Sequence, residues 1–168
     1  MKRLAALAVG LCLLAPVVAG ATEICGKDLA MSSPQDQALL DFAHRLKLDQ
    51  PEAFRNIAEY LHADRDMALP PCYLSKNLAE RQGWRPSRDL WAVAPGDAIG
   101  GDRYADREHR LPKQWRGRYV EADLDYAGGH RGARRLIFVR GMGDDEWLIF
   151  VSTDHEKHFA PFAPAKPN

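Results

Sequence analysis

The sequence predicts an α+β domain in which N-terminal helices pack on one face of a C-terminal antiparallel β-sheet, and three observations carry that prediction. Apolar residues recur at helical spacing through the first half, at Ala38, Leu39, Phe42 and Leu46 and again at Phe54, Ile57, Ala58 and Leu61. From Val120 onward the pattern changes to short apolar runs separated by the turn-rich segments AGGHRGA, RGMGDD and DHEK, the mark of an antiparallel meander. The sequence also lacks repeats, a P-loop, a dinucleotide-binding fingerprint and heptads, which excludes several architectures at once.

Each element follows in order. Lys2 and Arg3, the apolar run Leu4 to Val18 and the small residues Ala19-Gly20-Ala21 read as a secretory signal peptide over residues 1–21, cut before Thr22. The run is broken by Pro16 and falls short of the roughly 20 residues that span a bilayer, so no membrane association is expected. The mature chain, of about 147 residues, is expected to be an exported, soluble monomer with one core. Residues 22–53 form a helical extension, 54–162 the main domain and 163–168 a flexible tail rich in proline.

Within the extension, Ser32-Ser33-Pro34 starts a helix that runs to about Leu46. Asp49-Gln50-Pro51 starts a second, which stops before Leu69-Pro70-Pro71. A short third helix spans Ser75 to Gln82, capped by Ser75 and ended by Gly83. Gly96, Gly100, Gly101 and the run to Leu111-Pro112 read as loops and turns with at most short strands. Strands are expected at Val120–Tyr126, Leu136–Val139, Trp147–Thr153 and His158–Phe162, with the sheet face opposite the helices free for function.

Cys12 leaves with the signal peptide, so the mature chain keeps Cys25 and Cys72 in a compartment where thiols oxidise. A Cys25–Cys72 disulfide is therefore expected, stabilising by about 4 kcal/mol on the chain-entropy account. Two cysteines make a poor zinc site, and no metal or other cofactor is expected. The formal net charge is zero, which by itself argues for no polyanionic partner. Its distribution does: between Arg103 and Arg140 basic residues outnumber acidic ones about two to one, a local field that attracts anions.

The chemistry concentrates in two segments. In YVEADLDY, alternation puts Tyr119, Glu121, Asp123 and Asp125 on one strand face, so Glu121 is expected on the solvent side of a half-buried sheet. The chain then turns through Gly128 and Gly129 into Arg131, Arg134 and Arg135, a cationic return suited to phosphate. His155 closes the later segment VSTDH. A carboxylate and an imidazole form an acid–base couple in mildly acidic solution, and guanidinium groups beside them suit phosphodiester chemistry. Taken singly, each of these residues also reads as ordinary solvated surface charge.

From Phe54 to Phe159 the sequence resembles the barnase family of secreted bacterial ribonucleases, which prefer guanosine. The matching segments are LPPCYLSKNLAERQGW, VAPGDAIGGDRYADRE, Leu111-Pro112, YVEADLDYAGGHRGARRLIF and WLIFVSTDHEKHF. The resemblance implies the microbial ribonuclease fold and metal-independent cleavage of single-stranded RNA. In that scheme Glu121 is the general base that removes the ribose 2′-hydroxyl proton, and His155 is the general acid for the departing 5′-oxygen. Arg131 and Arg135 bind phosphate, and Lys76, at the head of the third helix, also stabilises the transition state. The product is a 2′,3′-cyclic phosphate, which water then opens to a 3′-phosphate.

The resemblance further implies a guanine-binding loop at Tyr104, Ala105, Asp106, Arg107 and Glu108. There the Glu108 carboxylate would accept from the N1 and N2 edge of the base, and Arg107 would brace the loop or stack on the base. It also implies a small acidic barstar-like inhibitor as a protein partner. Three departures stand out. Asp106 replaces the usual Asn and is expected to add charge beside the base; Glu156 follows His155 where an aromatic residue is usual; and the loop Gly141 to Glu146 is long. The extension, outside the resemblance, reads as a clamp or a docking surface. The alternative to an enzyme is a non-catalytic RNA- or polyanion-binding module on the same fold.

Overall fold

In the computed structural model, which describes residues 22–64, 66–139 and 148–163, three helices precede or flank a six-stranded sheet. The expected signal peptide, the long loop 141–146, Trp147 and the end of the tail, 164–168, lie outside the described residues. Helix α1 is Asp36–Arg45 and α2 is Pro51–Ala63; strand β1 is Tyr73–Leu74 and α3 is Lys76–Arg81. The remaining strands are β2 (Ala98–Arg103), β3 (Tyr119–Asp123), β4 (Arg135–Val139), β5 (Ile149–Ser152) and β6 (Ala160–Pro161). They lie in sequence order across the sheet, antiparallel throughout except for the parallel β1–β2 pair.

The helical stripes go where their periodicity sends them. Leu39, Phe42 and Ala43 of α1 and Phe54, Ile57, Ala58 and Leu61 of α2 join one core with Val120, Ala122, Leu136, Phe138, Ile149 and Val151 from the inner sheet face. Burying each large side chain of this kind stabilises by roughly 1.5–3 kcal/mol. Helix α1 therefore shares its core with the main sheet, and the expected boundary at residue 53 falls inside α2. A second cluster, with Leu74, Ala79, Trp84, Leu90 and Ile99, lies under α3 and takes in Cys25. Cys25 and Cys72 are disulfide-bonded, their Cα atoms 5.5 Å apart, closing 47 residues of sequence separation.

Several expectations are corrected. Strand β2 is a full six-residue strand rather than loop, and its register slips between Gly100 and Asp102. The two glycines make that bulge: a Cβ on Gly100 would come within 2.6 Å of Tyr73, and Gly101 has φ +92. Helix α1 starts two residues after Pro34, because the Ser33 hydroxyl and the Asp36 carboxylate bond the amides of Gln35 and Ser33 and hold the approach as a turn. Helix α2 takes its N-terminal acceptor from elsewhere: the Asp125 carboxylate accepts from the Asp49 and Gln50 amides at 2.8 and 3.0 Å. That duty ends β3 at Asp123, with Asp125 at φ +57.

The second sheet face is not free. Tyr119, Ile137, Val139 and Phe150 form a third cluster there with Leu111, and Tyr104, Trp115 and Phe159 pack against it. The connection from β2 to β3 folds over this face, with the Tyr119 hydroxyl donating to the Pro112 carbonyl at 2.7 Å. Alternation along β3 is as expected, but its outer face is covered, and Glu121 is only 9% exposed rather than projecting into solvent.

Candidate active site

Glu121 sits mid-strand, opposite Asp102 on β2 and Ile137 on β4. The Asp102 carboxylate accepts the Lys76 backbone N–H at 2.8 Å, while Ser75 Oγ accepts from Leu78 as the cap of α3. Those two bonds start α3 beside the strand that carries Glu121's neighbour. The Lys76 side chain consequently turns back over β2 and its Nζ pairs with Glu121 Oε1. Glu121 is thus a nearly buried carboxylate with one ammonium partner and one side open.

The arginines divide by role. Arg131 clasps Asp123 with both Nε and Nη2 at 2.6 Å, and Arg135 Nε lies 3.2 Å from the same carboxylate. Burial alone would ease the Arg131 proton off, but its bonds to Asp123 and the charges of Asp123, Glu121 and Asp102 overcome this and hold it above its ordinary value. Asp123, whose side chain is 3% exposed, is therefore the post on which both guanidinium groups hang, two residues along the face from Glu121. Arg134 does not join them. Its guanidinium reaches Asp49, Asp125 and the Lys47 carbonyl, tying the arginine loop to the α1–α2 junction.

His155 is exposed, on a tight turn after β5, with φ +58, and Glu156 follows at φ +64. Successive left-handed residues that are not glycine need support, and the turn supplies it. Ser152 Oγ accepts the Glu156 N–H at 2.9 Å, and Asp154 accepts from the Lys157 and His158 amides and from the His158 ring. These bonds, the His158 ring first, hold the Asp154 carboxylate well below the usual carboxylate range. The His155 N–H donates to the Ala133 carbonyl at 3.2 Å, which sets this turn against the arginine loop.

One groove of about 500 Å³ brings most of these segments together. Its walls are Glu121, His155, Glu156 and Lys157 on one side and Arg103 through Glu108, with Arg110, on the other. All five residues of the expected base-binding loop, Tyr104, Ala105, Asp106, Arg107 and Glu108, line it. Asp106 has the left-handed backbone expected of it, φ +41. It is 2% exposed and accepts from the loop's own Arg110 and Leu111 amides, so its charge is spent closing the loop. Glu108 pairs with Arg110, whose Nη1 also donates to the Glu156 and Lys157 carbonyls.

Arg110 therefore bridges the Tyr104–Glu108 segment and the His155 turn, a role the sequence reading missed, as it missed Asp123 and Asp154. Only Asp123 left a signal, its place on the Glu121 face. Chemically, a carboxylate and an imidazole opening on one groove can move a proton off one atom and onto another. The expected phosphate-binding cations stand behind them: Arg131 and Arg135 share Asp123 and Lys76 pairs with Glu121, and none of the three is among the residues lining the groove. Among the described residues, no group of three His, Cys, Asp or Glu side chains is placed to hold a metal ion.

Comparisons with known proteins bear on this arrangement. A family model described as ribonuclease matches residues 58–163. The chain is 41% identical over 108 residues to a ribonuclease of Heyndrickxia coagulans, a match that covers 64% of this chain and 93% of the relative. It is 40% identical over 107 residues to ribonucleases of Bacillus intermedius and Bacillus pumilus, covering 63% of this chain and 62% of each of those proteins.

Proposed function

The chain belongs to the ribonuclease family and is an endoribonuclease, and from that premise we propose that it cleaves single-stranded RNA after guanosine by transphosphorylation, without a metal ion. Glu121 takes the proton from the ribose 2′-hydroxyl as that oxygen attacks phosphorus. His155 gives a proton to the 5′-oxygen as its bond to phosphorus breaks. Arg131, Arg135 and Lys76 stabilise the charge that gathers on the phosphoryl oxygens. Water then opens the 2′,3′-cyclic phosphate with the two proton transfers reversed. Because the nucleophile is the substrate's own hydroxyl, DNA is not cut.

The observation that carries this reading is that Glu121, His155 and the loop Tyr104 to Glu108 line one groove. Glu108 is the base reader in this scheme, accepting from the N1 and N2 edge of guanine, which adenine does not offer. Binding the base then requires Glu108 to leave Arg110, which stays tied to the His155 turn by two carbonyls. Export from the cell is supported by the Cys25–Cys72 disulfide. Arg103, Arg107, Arg110 and Lys157 around the groove suit a small acidic inhibitor protein that would cover it.

The test compares cleavage of GpU, ApU and UpG in the presence of a chelator, for the wild type and Glu108→Gln. The expected outcome is fast, chelator-resistant cleavage of GpU, with the preference over ApU falling at least tenfold in the variant. Equal rates on all three dinucleotides would remove the guanine loop from the account, and loss of cleavage on adding chelator would remove the metal-free mechanism.

A further inference from the structure

Glu156 sits where the proposed chemistry has no use for a third carboxylate. It follows His155 directly, lines the groove beside Glu121, and brings Oε1 to 3.7 Å from Arg135 Nε. Its backbone is fixed at both ends, the N–H by Ser152 Oγ and the carbonyl by Arg110, so the side chain is carried there by the turn rather than reaching in from solvent. The Arg135 donors are shared: Nη1 bonds the Gly132 and Arg134 carbonyls, and Nε is divided between Asp123 and Glu156. Asp123 is buried, whereas Glu156 lines the groove, so of the two carboxylates on Arg135 Nε it is the one that an anion entering the groove would meet.

We propose that Glu156 is an internal competitor for the phosphate-binding site, which an incoming phosphodiester must displace from Arg135 or find protonated, so that this residue sets substrate affinity and its dependence on pH. The inference rests on Arg135 being a phosphate ligand, as in the proposed function.

The charged surroundings of Glu156 are Glu121, which repels it, and Arg135, Lys76 and Arg131, which attract it, with the Tyr104 hydroxyl nearby. Burial comes first and, with Glu121, outweighs the cations, raising its titration above the ordinary glutamate value. The sign follows. As pH falls, the proton arrives earlier than on an ordinary glutamate, the negative charge leaves Arg135, and the groove gains affinity for an anion. As pH rises, the charge returns and affinity drops.

The experiment uses the full exported chain as wild type and as Glu156→Gln, with Glu156→Ala as a second variant should the first not fold. Calorimetry measures binding of a non-cleavable deoxyguanosine–deoxycytidine dinucleotide, whose phosphodiester charge is constant, from about pH 5 to pH 8. Every other titrating group is common to the proteins, so the difference between their profiles reads Glu156. The variant is expected to bind about tenfold tighter near pH 8 and to show a smaller decline in affinity with pH than the wild type. With GpU as substrate, the change falls on KM rather than kcat.

A folded variant that binds no more tightly near pH 8, or whose defect falls on kcat with KM unmoved, overturns the proposal. If the wild type binds the probe but cleaves no RNA, the proposed function fails while the binding comparison still decides the role of Glu156.

Discussion

At the scale of single residues, the arrangement of the candidate site depends on carboxylates that hold its cations in place. Asp123 is the clearest case, since one buried carboxylate fixes two guanidinium groups. Removing it takes both carboxylate bonds from Arg131 and leaves Arg135 with Glu156 and two carbonyls, a cost of about 3 kcal/mol. Asp123→Ala is therefore expected to unfold at lower urea by about that amount, and to lose at least tenfold in kcat/KM on GpU beyond any loss of folded protein. Stability and activity unchanged together would show that Arg131 and Arg135 are held some other way. This residue was only half legible in the sequence. Alternation put it beside Glu121, but nothing in the spacing said that Arg131 and Arg135 would both turn to it while Arg134 turned away. That division depends on Asp49 and Asp125, whose positions come from the α1–α2 junction.

At the scale of elements, the contact between α1 and α2 carries a buried titrating group. Glu59 on α2 is 3% exposed; the Ser33 hydroxyl donates to its Oε1 at 2.9 Å, Oε2 accepts no hydrogen bond, and Asp36 of α1 stands alongside with Arg55 on its far oxygen at 3.3 Å. Burial, then the hydrogen bond with Asp36, pushes Glu59 up to about 7 from an ordinary 4.5. The neutral form is the one the fold favours. Its stabilisation is complete below about pH 4.5 and is lost as pH rises through about 7. Thermal melts at about pH 5 and pH 8 should show the wild type losing more stability on alkalinisation than Glu59→Gln, which keeps a donor toward Asp36. Equal losses in the two proteins would contradict this.

The helices themselves were legible, because their apolar stripes need only local spacing. Strand β2 was not, because a bulge built from two adjacent glycines looks like a loop until Tyr73, Leu69 and Ala122 are seen crowding Gly100. The acceptor at the start of α2 was not legible either, since Asp125 lies 76 residues from the amide it bonds.

At the scale of the whole molecule, the fold covers both sheet faces and leaves a groove among Glu121, the Tyr104–Glu108 segment and the turn after β5. The order of helices and strands predicted one covered face. The second core under Leu111, Tyr119 and Phe150 escaped notice because the segment that covers it, between β2 and β3, is rich in charge and reads as loop. Bringing Glu121, His155 and Tyr104 to Glu108 onto one groove takes the β2–β3 bulge, the turn after β5 and the Arg110 bridge together. No local pattern contains that convergence. It was legible only through the family resemblance, and the disulfide from the extension then fixes the N-terminal segment beside β1.

The central claim is that Glu121 and His155 transfer protons in a two-step transphosphorylation. It is tested most directly by following products of GpU cleavage over time for the wild type and a folded Glu121→Gln. The account predicts that guanosine 2′,3′-cyclic phosphate appears before the 3′-phosphate, and that the variant slows its formation by about a hundredfold or more. A 3′-phosphate formed with no cyclic intermediate, or a folded Glu121→Gln at the wild-type rate, would contradict it.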